Sequence, residues 1–340
     1  MATPAVPAYP RPVRVCIVGA GAIGGLLANR LAVIGEEVSV FARGETLAAI
    51  RDSGLTVIEP DGSVVVAPAV EASDDLAAFG PQDVVILSLK AHQIAAVADR
   101  LDALYDEGTI VVPVQNGMPW WFFQKLAGPF AGRRIQSLDP DGTIERNVPA
   151  DRIIGCIAYP AAMREEPAVI RLVEGDRFPV GELDGSRSER AAALAQTLTG
   201  AGFTSRVLTD IRAHLWVKAW GNLAFNPISA LTGATLAEIC QLPSTRELAA
   251  EIMREAGAVA ERLGLRLRIS VEQRIEGAEK VGAHKTSMLQ DVEAGRPLEI
   301  APLIGAFIEL GRLTETPMAA TEGVYALVSL LDARLREEAP

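Results

Sequence analysis

The sequence contains few cysteines, few histidines and no excess of positive charge. Its 340 residues include three cysteines and three histidines. An odd number of widely spaced cysteines provides neither a disulfide framework nor a paired-cysteine metal site, and it indicates a reducing, cytoplasmic setting. The histidines, His92, His214 and His284, lack the spacing to one another or to carboxylates that a metal site requires. We therefore expect no bound metal.

The charge and the apolar pattern exclude two further classes of partner. The formal net charge is −11, and no run of five basic residues occurs, so we expect neither nucleic acid nor a membrane surface as a partner. No apolar run has the roughly 20 residues that span a bilayer. The opening residues 1–12 are rich in proline and lack the apolar segment of a signal peptide. They are interpreted as a disordered leader.

The length and the pattern of apolar runs predict two domains. Short runs rich in valine and isoleucine alternate with helical stretches in the first half, which is typical of an α/β fold with a buried parallel sheet. The strand-like runs are 13–19, 37–43, 55–59, 64–68, 83–90 and 109–117, and the helical stretches include 22–35 and 91–104. Further strand-like pieces within 153–182 extend this sheet or form a bridging layer.

The pattern changes to long helices with a period of 3.6 residues from about Ile211 onward. These predicted helices are 211–226, 244–263, 270–281, 299–312 and 318–336. The sequence therefore predicts a Rossmann-type parallel-sheet domain over 13–208, followed by an all-helical domain over 209–340.

A glycine-rich motif follows the first predicted strand and opens the first predicted helix. It consists of Gly19, Ala20, Gly21, Ala22, Ile23 and Gly24. In a dinucleotide-binding turn the first glycine permits the tight turn, the second lets the backbone approach the pyrophosphate, and the third lets the helix pack on the strand. The alternative is a glycine-rich turn without a ligand, but the correct strand and helix on either side favour a nucleotide site.

Arg43 follows the second predicted strand, where an NAD site normally has an acidic residue for the ribose 2′-hydroxyl. An acid would repel a 2′-phosphate, whereas a guanidinium binds it with two hydrogen bonds. Arg43 therefore favours NADP over NAD, the alternative being a solvated surface arginine.

Two further strand ends have polar residues, Lys90 and the segment Gln115–Asn116–Gly117. Parallel sheets bind ligands beyond the carboxyl ends of their strands, so both Lys90 and Asn116 could reach the cofactor. A solvated helix start explains Lys90 equally well, and an Asn-Gly pair alone would indicate a turn.

Three polar residues recur every four positions at the start of the helical half. They are Lys218, Asn222 and Asn226, so they share one face of a helix that is otherwise apolar. Each would need a polar partner if it were buried, which favours a cleft over a core contact. A polar stripe facing solvent is the alternative. Further on, Ser287 and Glu299 lie in a segment, 285–300, whose residues alone indicate helix capping and surface charge.

Together these segments resemble the ketopantoate reductase (2-dehydropantoate 2-reductase) family. The resemblance extends from Val13 to about Ala333. It rests on five segments in the same order: GAGAIGG with Arg43, Lys90, QNG at 115–117, K-x3-N-x3-N-P at 218–227, and SMLQD to Glu299. The resemblance implies stereospecific hydride transfer from NADPH to the keto group of 2-dehydropantoate, giving pantoate for pantothenate biosynthesis.

The resemblance also implies roles for individual residues. Lys218 matches the general acid, which is chemically reasonable because a nearby ammonium can stabilise and protonate the oxygen that gains charge during hydride transfer. Glu299 would form hydrogen bonds near the reacting centre or the cofactor. Asn222, Asn226 and Ser287 would hold the substrate's hydroxyl and carboxylate, and Asn116 would contact both ligands.

Two segments depart from the usual family pattern, Gly155–Ala161 and the loop containing Trp120 and Trp121. A related enzyme acting on a different 2-keto acid, a 2-hydroxy acid or an opine-type imine is therefore an alternative. A dinucleotide-binding sensor without catalysis is a further alternative, although such a protein needs no proton donor at Lys218. The long apolar helices could supply the surface of a homodimer.

Overall fold

The computed structural model describes residues 12–68 and 70–338. The predicted leader at 1–12 lies outside these residues except for Pro12. The described chain divides into two compact units. Unit 1 contains the described residues up to Gln115, Gln124–Leu126 and Gly142–Ile211, and unit 2 contains Asn116–Phe123, Ala127–Asp141 and the described residues from Arg212 onward. Asn116–Phe123 and Ala127–Asp141 thus belong to unit 2, although they precede the domain boundary predicted between residues 208 and 209.

Unit 1 is built on a parallel sheet whose strands come from the valine-rich runs. The strands of this unit are β1 (Arg14–Val18), β2 (Glu37–Phe41), β3 (Thr56–Ile58), β4 (Val64–Val66), β5 (Glu71–Ser73), β6 (Val84–Leu87), β7 (Ile110–Pro113), β8 (Ile154–Cys156), β9 (Ala161–Glu166), β10 (Val169–Glu174) and β11 (Val180–Glu182). Five of them form a parallel sheet in the order β5-β2-β1-β6-β7. Its central strands are almost entirely buried, as continuous apolar runs require.

The helices of unit 1 connect these strands. They are α1 (Ala22–Val33), α2 (Gly44–Ser53), α3 (Ala95–Ala98), α4 (Thr143–Asn147) and α5 (Glu189–Gly200). Helix α1 contacts both the parallel sheet and a second sheet of order β4-β3-β10-β9. The buried Asn29 of α1 donates hydrogen bonds from Nδ2 to the carbonyl oxygens of Leu55 (2.9 Å) and Val65 (3.0 Å). These bonds fix α1, and with it the turn that precedes α1.

The second sheet corrects one expectation from the sequence. The runs at 55–59 and 64–68 are not strands of the buried parallel sheet, because β3 and β4 pair with each other in antiparallel orientation. Val64 and Val66 are 59% and 57% exposed, so this valine run lies at a sheet edge. The pieces within 153–182 do not add strands to the parallel sheet: β8 pairs with β11 in a separate two-stranded sheet, with one bridge from Ile153 to Val111 of β7, whereas β9 and β10 join β3 in the second sheet. The helical stretch 91–104 is broken into α3 and short 3-10 turns.

Unit 2 is mostly helical. Its helices are α6 (Ile211–Thr232), α7 (Leu236–Gln241), α8 (Pro243–Arg262), α9 (Val271–Val281), α10 (Ser287–Glu293), α11 (Ala306–Leu313) and α12 (Ala319–Glu338), and a π-helical turn, Ala301–Gly305, leads into α11. The long helix α6 continues through Pro227 and buries Trp216, Trp220 and Phe225. The predicted fold class, a Rossmann-type parallel sheet followed by a helical region, is therefore confirmed. No helix among residues 12–68 and 70–338 is both long and apolar enough to cross a membrane.

Candidate active site

The glycine motif forms the turn between β1 and α1. Gly19 has φ of +112°, a conformation that residues with a side chain rarely adopt, and its N–H donates to the carbonyl oxygen of Phe41 at 3.1 Å. A Cβ at Gly21, in contrast, would meet no atom within 4 Å. At Gly19 the turn thus packs against the rest of the protein, whereas at Gly21 it faces solvent.

Gly24 is where the helix approaches the turn most closely. A Cβ there would lie 2.0 Å from the carbonyl oxygen of Gly19 and 2.4 Å from Oγ of Ser88. Ser88 follows β6, and its hydroxyl donates to the Gly19 carbonyl oxygen at 2.7 Å. The sequence reasoning did not identify Ser88, whose contact with the turn spans 69 residues. A serine directly after the apolar strand run, two residues before Lys90, was the available signal.

This turn fits a dinucleotide. The first N–H groups of a helix have no partner within the helix, so the start of α1 offers donors and a positive dipole end to a phosphate. The open space beside Gly21 gives an anion access to these donors. The residues Gly19 to Gly24 therefore have the shape and the donors that a pyrophosphate requires.

Arg43 lies two residues beyond β2, directly before α2, and is exposed. Its guanidinium carbon is 5.2 Å from the ring centroid of Phe41, the last residue of β2. The hydrogen bond from Gly19 to Phe41 joins this strand end to the glycine turn. The structure thus brings Arg43 and the glycine motif to neighbouring strand ends.

Lys90 and Gln115 follow the next two strands of the parallel sheet. Lys90 is half-buried directly before the 3-10 turn Ala91–Gln93, and its backbone N–H donates to Oε1 of Gln93 at 3.2 Å. Gln115 joins the ends of β6 and β7, since its Nε2 donates to the carbonyl oxygens of Leu87 (2.6 Å) and Leu89 (3.1 Å). Both residues therefore lie at the carboxyl edge of the sheet, where parallel sheets bind ligands.

In unit 2, the three polar residues at a spacing of four lie on one continuous helix, α6. Lys218 Nζ donates a hydrogen bond of 2.7 Å to Oδ1 of Asn116. Two predicted site residues that are 102 positions apart in sequence are thus in direct contact. The bond fixes the ammonium of Lys218 beside the amide of Asn116.

The two asparagines that follow Lys218 on α6 have unused hydrogen-bonding groups. Asn222 is half-buried and forms no side-chain hydrogen bond with the described residues. Asn226 is only 5% exposed, and its Nδ2 has no partner within the described part of the chain. A buried amide without a partner is costly, so a ligand acceptor at this position would remove a penalty of about 1–3 kcal/mol.

The loop after Asn116 is attached to the π-helical turn that follows Glu299. Met118 N–H donates to the carbonyl oxygen of Pro302 at 2.8 Å. Gly117 has φ of +83°, and a Cβ on it would lie 2.5 Å from that same oxygen. Glu299 is half-buried, and its carbonyl oxygen accepts from Leu303 N–H at 3.3 Å. The segment containing Glu299 is thereby tied to the loop containing Asn116, a link that the sequence did not reveal.

Ser287 is exposed at the first position of α10, and its neighbour Thr286 caps that helix with a hydrogen bond from Leu289 N–H to Oγ1 at 3.3 Å. Ser287 forms no hydrogen bond with the other predicted site residues, within the ranges described. The structure therefore brings Asn116 and Lys218 together but leaves Ser287 without a direct bond to them.

The two segments that depart from the family pattern are buried. Residues 155–158 lie in or directly after β8, in the core of unit 1. In unit 2, Trp120 and Trp121 are 5% and 1% exposed, and the neighbouring Phe122 packs against Trp216 with ring centroids 5.7 Å apart. Arg212 Nε donates to the carbonyl oxygen of Phe122 at 2.6 Å. These aromatic residues therefore form part of the packed core.

Within the described residues there is no group of three or more histidine, cysteine, aspartate or glutamate side chains that could hold a metal ion. His92 is exposed, and His214 and His284 are half-buried. The three cysteines are buried and form no disulfide bond with one another, and burial raises the pKa of the Cys16 thiol far above its ordinary value.

Comparison with known families identifies two matching regions. Residues 15–185 match the family described as ketopantoate reductase PanE/ApbA, and residues 210–332 match its C-terminal part. These regions contain every predicted site residue.

Individual relatives extend the likeness to nearly the whole chain. The 2-dehydropantoate 2-reductase of Mesorhizobium japonicum is 49% identical over 94% of this chain and 97% of its own. A solved structure of a candidate ketopantoate reductase from Ralstonia solanacearum MolK2 is 38% identical, with a TM-score of 0.91 over 96% of this chain and 99% of its own. D-mandelate dehydrogenase with NADH and anilino(oxo)acetate has a TM-score of 0.80 over 95% and 99% of the two chains. At 22% identity, that last likeness shows the fold alone.

Proposed function

The chain belongs to the ketopantoate reductase family of oxidoreductases, and from this premise we propose that it reduces 2-dehydropantoate to pantoate with NADPH, using Lys218 as the general acid. The observation that carries the proposal is the 2.7 Å hydrogen bond between Lys218 Nζ and Asn116 Oδ1, on a helix that also holds Asn222 and Asn226. An ammonium and amides on one helix are the donors that a substrate with keto, carboxylate and hydroxyl groups requires. The 49% identity to the Mesorhizobium reductase supports the same substrate.

When bound, the dihydronicotinamide supplies the hydride for the keto carbon. The negative charge then grows on the keto oxygen, and Lys218 stabilises this charge and donates a proton to it. Asn116 accepts a hydrogen bond from the ammonium and so fixes its position before the reaction. Glu299 forms hydrogen bonds near the reacting centre or the cofactor.

The remaining polar residues of unit 2 hold the substrate. Asn222, Asn226 and Ser287 bind its hydroxyl and carboxylate, and Asn116 contacts substrate and cofactor. The buried Nδ2 of Asn226 supports this role, because a substrate oxygen would satisfy a donor that has no partner in the described chain.

The residues of unit 1 bind the cofactor. The glycine turn from Gly19 to Gly24 holds the pyrophosphate. Lys90, beyond the end of β6, also binds the cofactor. Arg43 binds the 2′-phosphate that distinguishes NADPH from NADH, which is supported by its exposed guanidinium at the end of β2. On this basis the enzyme prefers NADPH.

The experiment that tests the proposal follows the absorbance of NADPH with purified protein and 2-dehydropantoate. NADH and a panel of other 2-keto acids are compared under the same conditions. We expect Lys218→Met to lower kcat by about 10²–10⁴-fold, because proton transfer in the transition state is lost. Lys280→Met, which removes an exposed lysine in the last turn of α9, is the matched control and should retain full activity.

Each part of the proposal can fail separately. Reduction of another 2-keto acid in place of 2-dehydropantoate would show a different substrate. Full activity of Lys218→Met would exclude Lys218 as the acid. Binding of NADPH without turnover of any acid tested would favour a dinucleotide sensor, and a preference for NADH would contradict the role of Arg43.

A further inference from the structure

A second arginine shares the aromatic ring on which Arg43 lies. The guanidinium carbon of Arg100 is 5.7 Å from the ring centroid of Phe41, and that of Arg43 is 5.2 Å from it. Arg100 comes from a different part of unit 1, just after α3, and is half-buried. Two positive charges from distant segments thus converge on the last residue of β2.

Neither guanidinium is neutralised by the described residues. Arg43 and Arg100 form no ion pair and no side-chain hydrogen bond with any residue in 12–68 or 70–338. Several other arginines of unit 1, though not all of them, have acidic partners. Arg14 lies 2.9 Å from Asp83, and Arg190 lies 2.7 Å from Glu182.

Two neighbouring unpaired cations are unexpected in a chain with a net charge of −11. Since both guanidinium carbons lie within 5.7 Å of one ring centroid, the two charges are at most about 11 Å apart. Like charges at such a separation repel each other, and an anion that contacts both relieves the repulsion. Phe41 is 2% exposed, so its ring is a fixed support on which both guanidiniums can lie. The pair is therefore arranged to receive an anion rather than to stabilise the fold through ion pairing.

We propose that Arg100 is a second binding residue for the 2′-phosphate of NADPH and acts together with Arg43. The end of β2 is where a Rossmann-type domain places the 2′ position of the adenosine ribose. A phosphate monoester offers three oxygens to the two planar guanidiniums, and each guanidinium can donate two parallel hydrogen bonds. The inference rests on the proposed use of NADPH and extends it, because cofactor choice then depends on two arginines.

The test measures binding without any keto acid. Dissociation constants are determined by calorimetry for NADPH and NADH, and for adenosine 2′,5′-bisphosphate and adenosine 5′-monophosphate, which differ only in the 2′-phosphate. Arg100→Met keeps an apolar side chain beside Phe41 but removes the charge. Arg100→Lys keeps a positive charge but replaces the planar guanidinium. Arg51→Met, at the other end of α2, is the matched control for loss of one positive charge.

We expect Arg100→Met to weaken NADPH and the bisphosphate about 10-fold or more, as loss of a charge-assisted hydrogen bond predicts. The affinities for NADH and the monophosphate should change less than about twofold, which also shows that the variant is folded. Arg100→Lys should fall between Arg100→Met and the wild type, and Arg51→Met should match the wild type. Equal changes for ligands with and without the 2′-phosphate, or no change, would overturn the inference.

The outcomes separate this inference from the proposed function. If Arg100 variants selectively lose the 2′-phosphorylated ligands while 2-dehydropantoate is not reduced, the inference stands and the proposed substrate is wrong. If 2-dehydropantoate is reduced with NADPH and Arg100→Met leaves the preference for NADPH intact, the proposed function stands and the inference is wrong. If the wild type binds NADH as well as NADPH, both the proposed cofactor and the inference fail.

Discussion

Asn116 Oδ1 accepts a 2.7 Å hydrogen bond from Lys218 Nζ, so a loop residue of unit 2, three positions after β7 in sequence, holds the ammonium on α6. A lysine side chain has four rotatable carbon–carbon bonds, and its ammonium is mobile unless a partner restrains it. The position of the proposed proton donor therefore depends on Asn116 as well as on α6.

The first prediction concerns this pair. We expect Asn116→Ala to lower kcat about 10-fold or more, because the ammonium loses the acceptor that orients it. The double variant with Lys218→Met should be no slower than Lys218→Met alone, since residues that act as a unit are not additive. The measurement is kcat for the wild type, both single variants and the double variant. Asn147→Ala, which removes an amide that bonds within α4, is the control.

If the losses of kcat in the two single variants add up in the double variant, Asn116 acts independently of Lys218. In that case its contribution would come from contacts with the ligands alone. A wild-type kcat for Asn116→Ala would contradict a role for the hydrogen bond in catalysis.

The second prediction separates two glycines of the nucleotide turn. Gly21→Ala should leave the free energy of unfolding within about 1 kcal/mol of the wild type, since its Cβ meets no atom within 4 Å. It should nevertheless weaken NADPH about 10-fold, because the methyl group fills the space needed by the pyrophosphate. Calorimetric titration and urea unfolding of the same sample measure both quantities.

Gly24→Ala is the matched partner of that variant. Its Cβ would lie 2.0 Å from the Gly19 carbonyl oxygen, so we expect a clear loss of stability as well as of binding. If Gly21→Ala bound NADPH as tightly as the wild type does, the glycine turn would not be the pyrophosphate site.

The parts of the site that are local in sequence were predictable, and those that depend on tertiary pairing were not. Gly19 to Gly24 follow β1 directly, so the pattern of strand, glycines and helix identifies them without further information. Ser88 contacts the same turn from 69 residues away, and only the pairing of β6 with β1 brings it there. The spacing of Lys218 and Asn222 predicted a shared helix face, but not the bond from Lys218 to Asn116.

The valine run at 64–66 shows what amino-acid composition alone cannot predict about a strand. Its residues are apolar enough for a buried parallel strand, yet β4 is a half-exposed partner of β3. A short run carries no information about which sheet it joins, because long-range pairing decides that. The contact of the Met118 N–H with the carbonyl oxygen of Pro302, in the π-helical turn, is likewise a long-range pairing that the sequence does not indicate.

The third prediction concerns Gly117. Gly117→Ala combines a strained φ of +83° with a Cβ only 2.5 Å from the Pro302 carbonyl oxygen, so the loop must move away from the π-helical turn. We expect a loss of about 2–4 kcal/mol in the free energy of unfolding and a reduced kcat, since Asn116 moves with the loop. Urea unfolding and steady-state kinetics measure the two effects.

Gly264→Ala provides the control for backbone strain. Gly264 has φ of +78°, but a Cβ there would meet no atom within 4 Å, so only about 1–2 kcal/mol should be lost, with kcat unchanged. Equal losses for Gly117→Ala and Gly264→Ala would mean that the contact with Pro302 does not matter.

The fourth prediction concerns an ion pair in unit 1 that joins the buried Glu182 to the half-buried Arg190. Burial alone would raise the pKa of Glu182, but hydrogen bonds from Arg190 and Ser188 together hold that pKa below its usual value. The two carboxylate oxygens each lie 2.7 Å from Arg190, and the Glu182 side chain is 5% exposed. Because its pKa is lower in the folded state than in the unfolded state, the ionised Glu182 stabilises the fold at pH values above the unfolded-state pKa of about 4.3. This stabilisation is lost as the pH falls through the folded-state pKa.

We therefore expect Glu182→Gln to lower the free energy of unfolding by about 1–3 kcal/mol at pH 7, measured by urea unfolding across a pH series. The gap to the wild type should shrink as the pH falls below about 4.3 and through the depressed folded-state pKa, because Glu182 is then protonated in the folded state as well. Glu322→Gln is the matched control, because its partner Arg312 is 3.4 Å away and both side chains are more than half exposed. That variant should differ from the wild type by less than about 1 kcal/mol. A gap for Glu182→Gln that persists or widens at acid pH would show that its carboxylate charge is not what stabilises the fold.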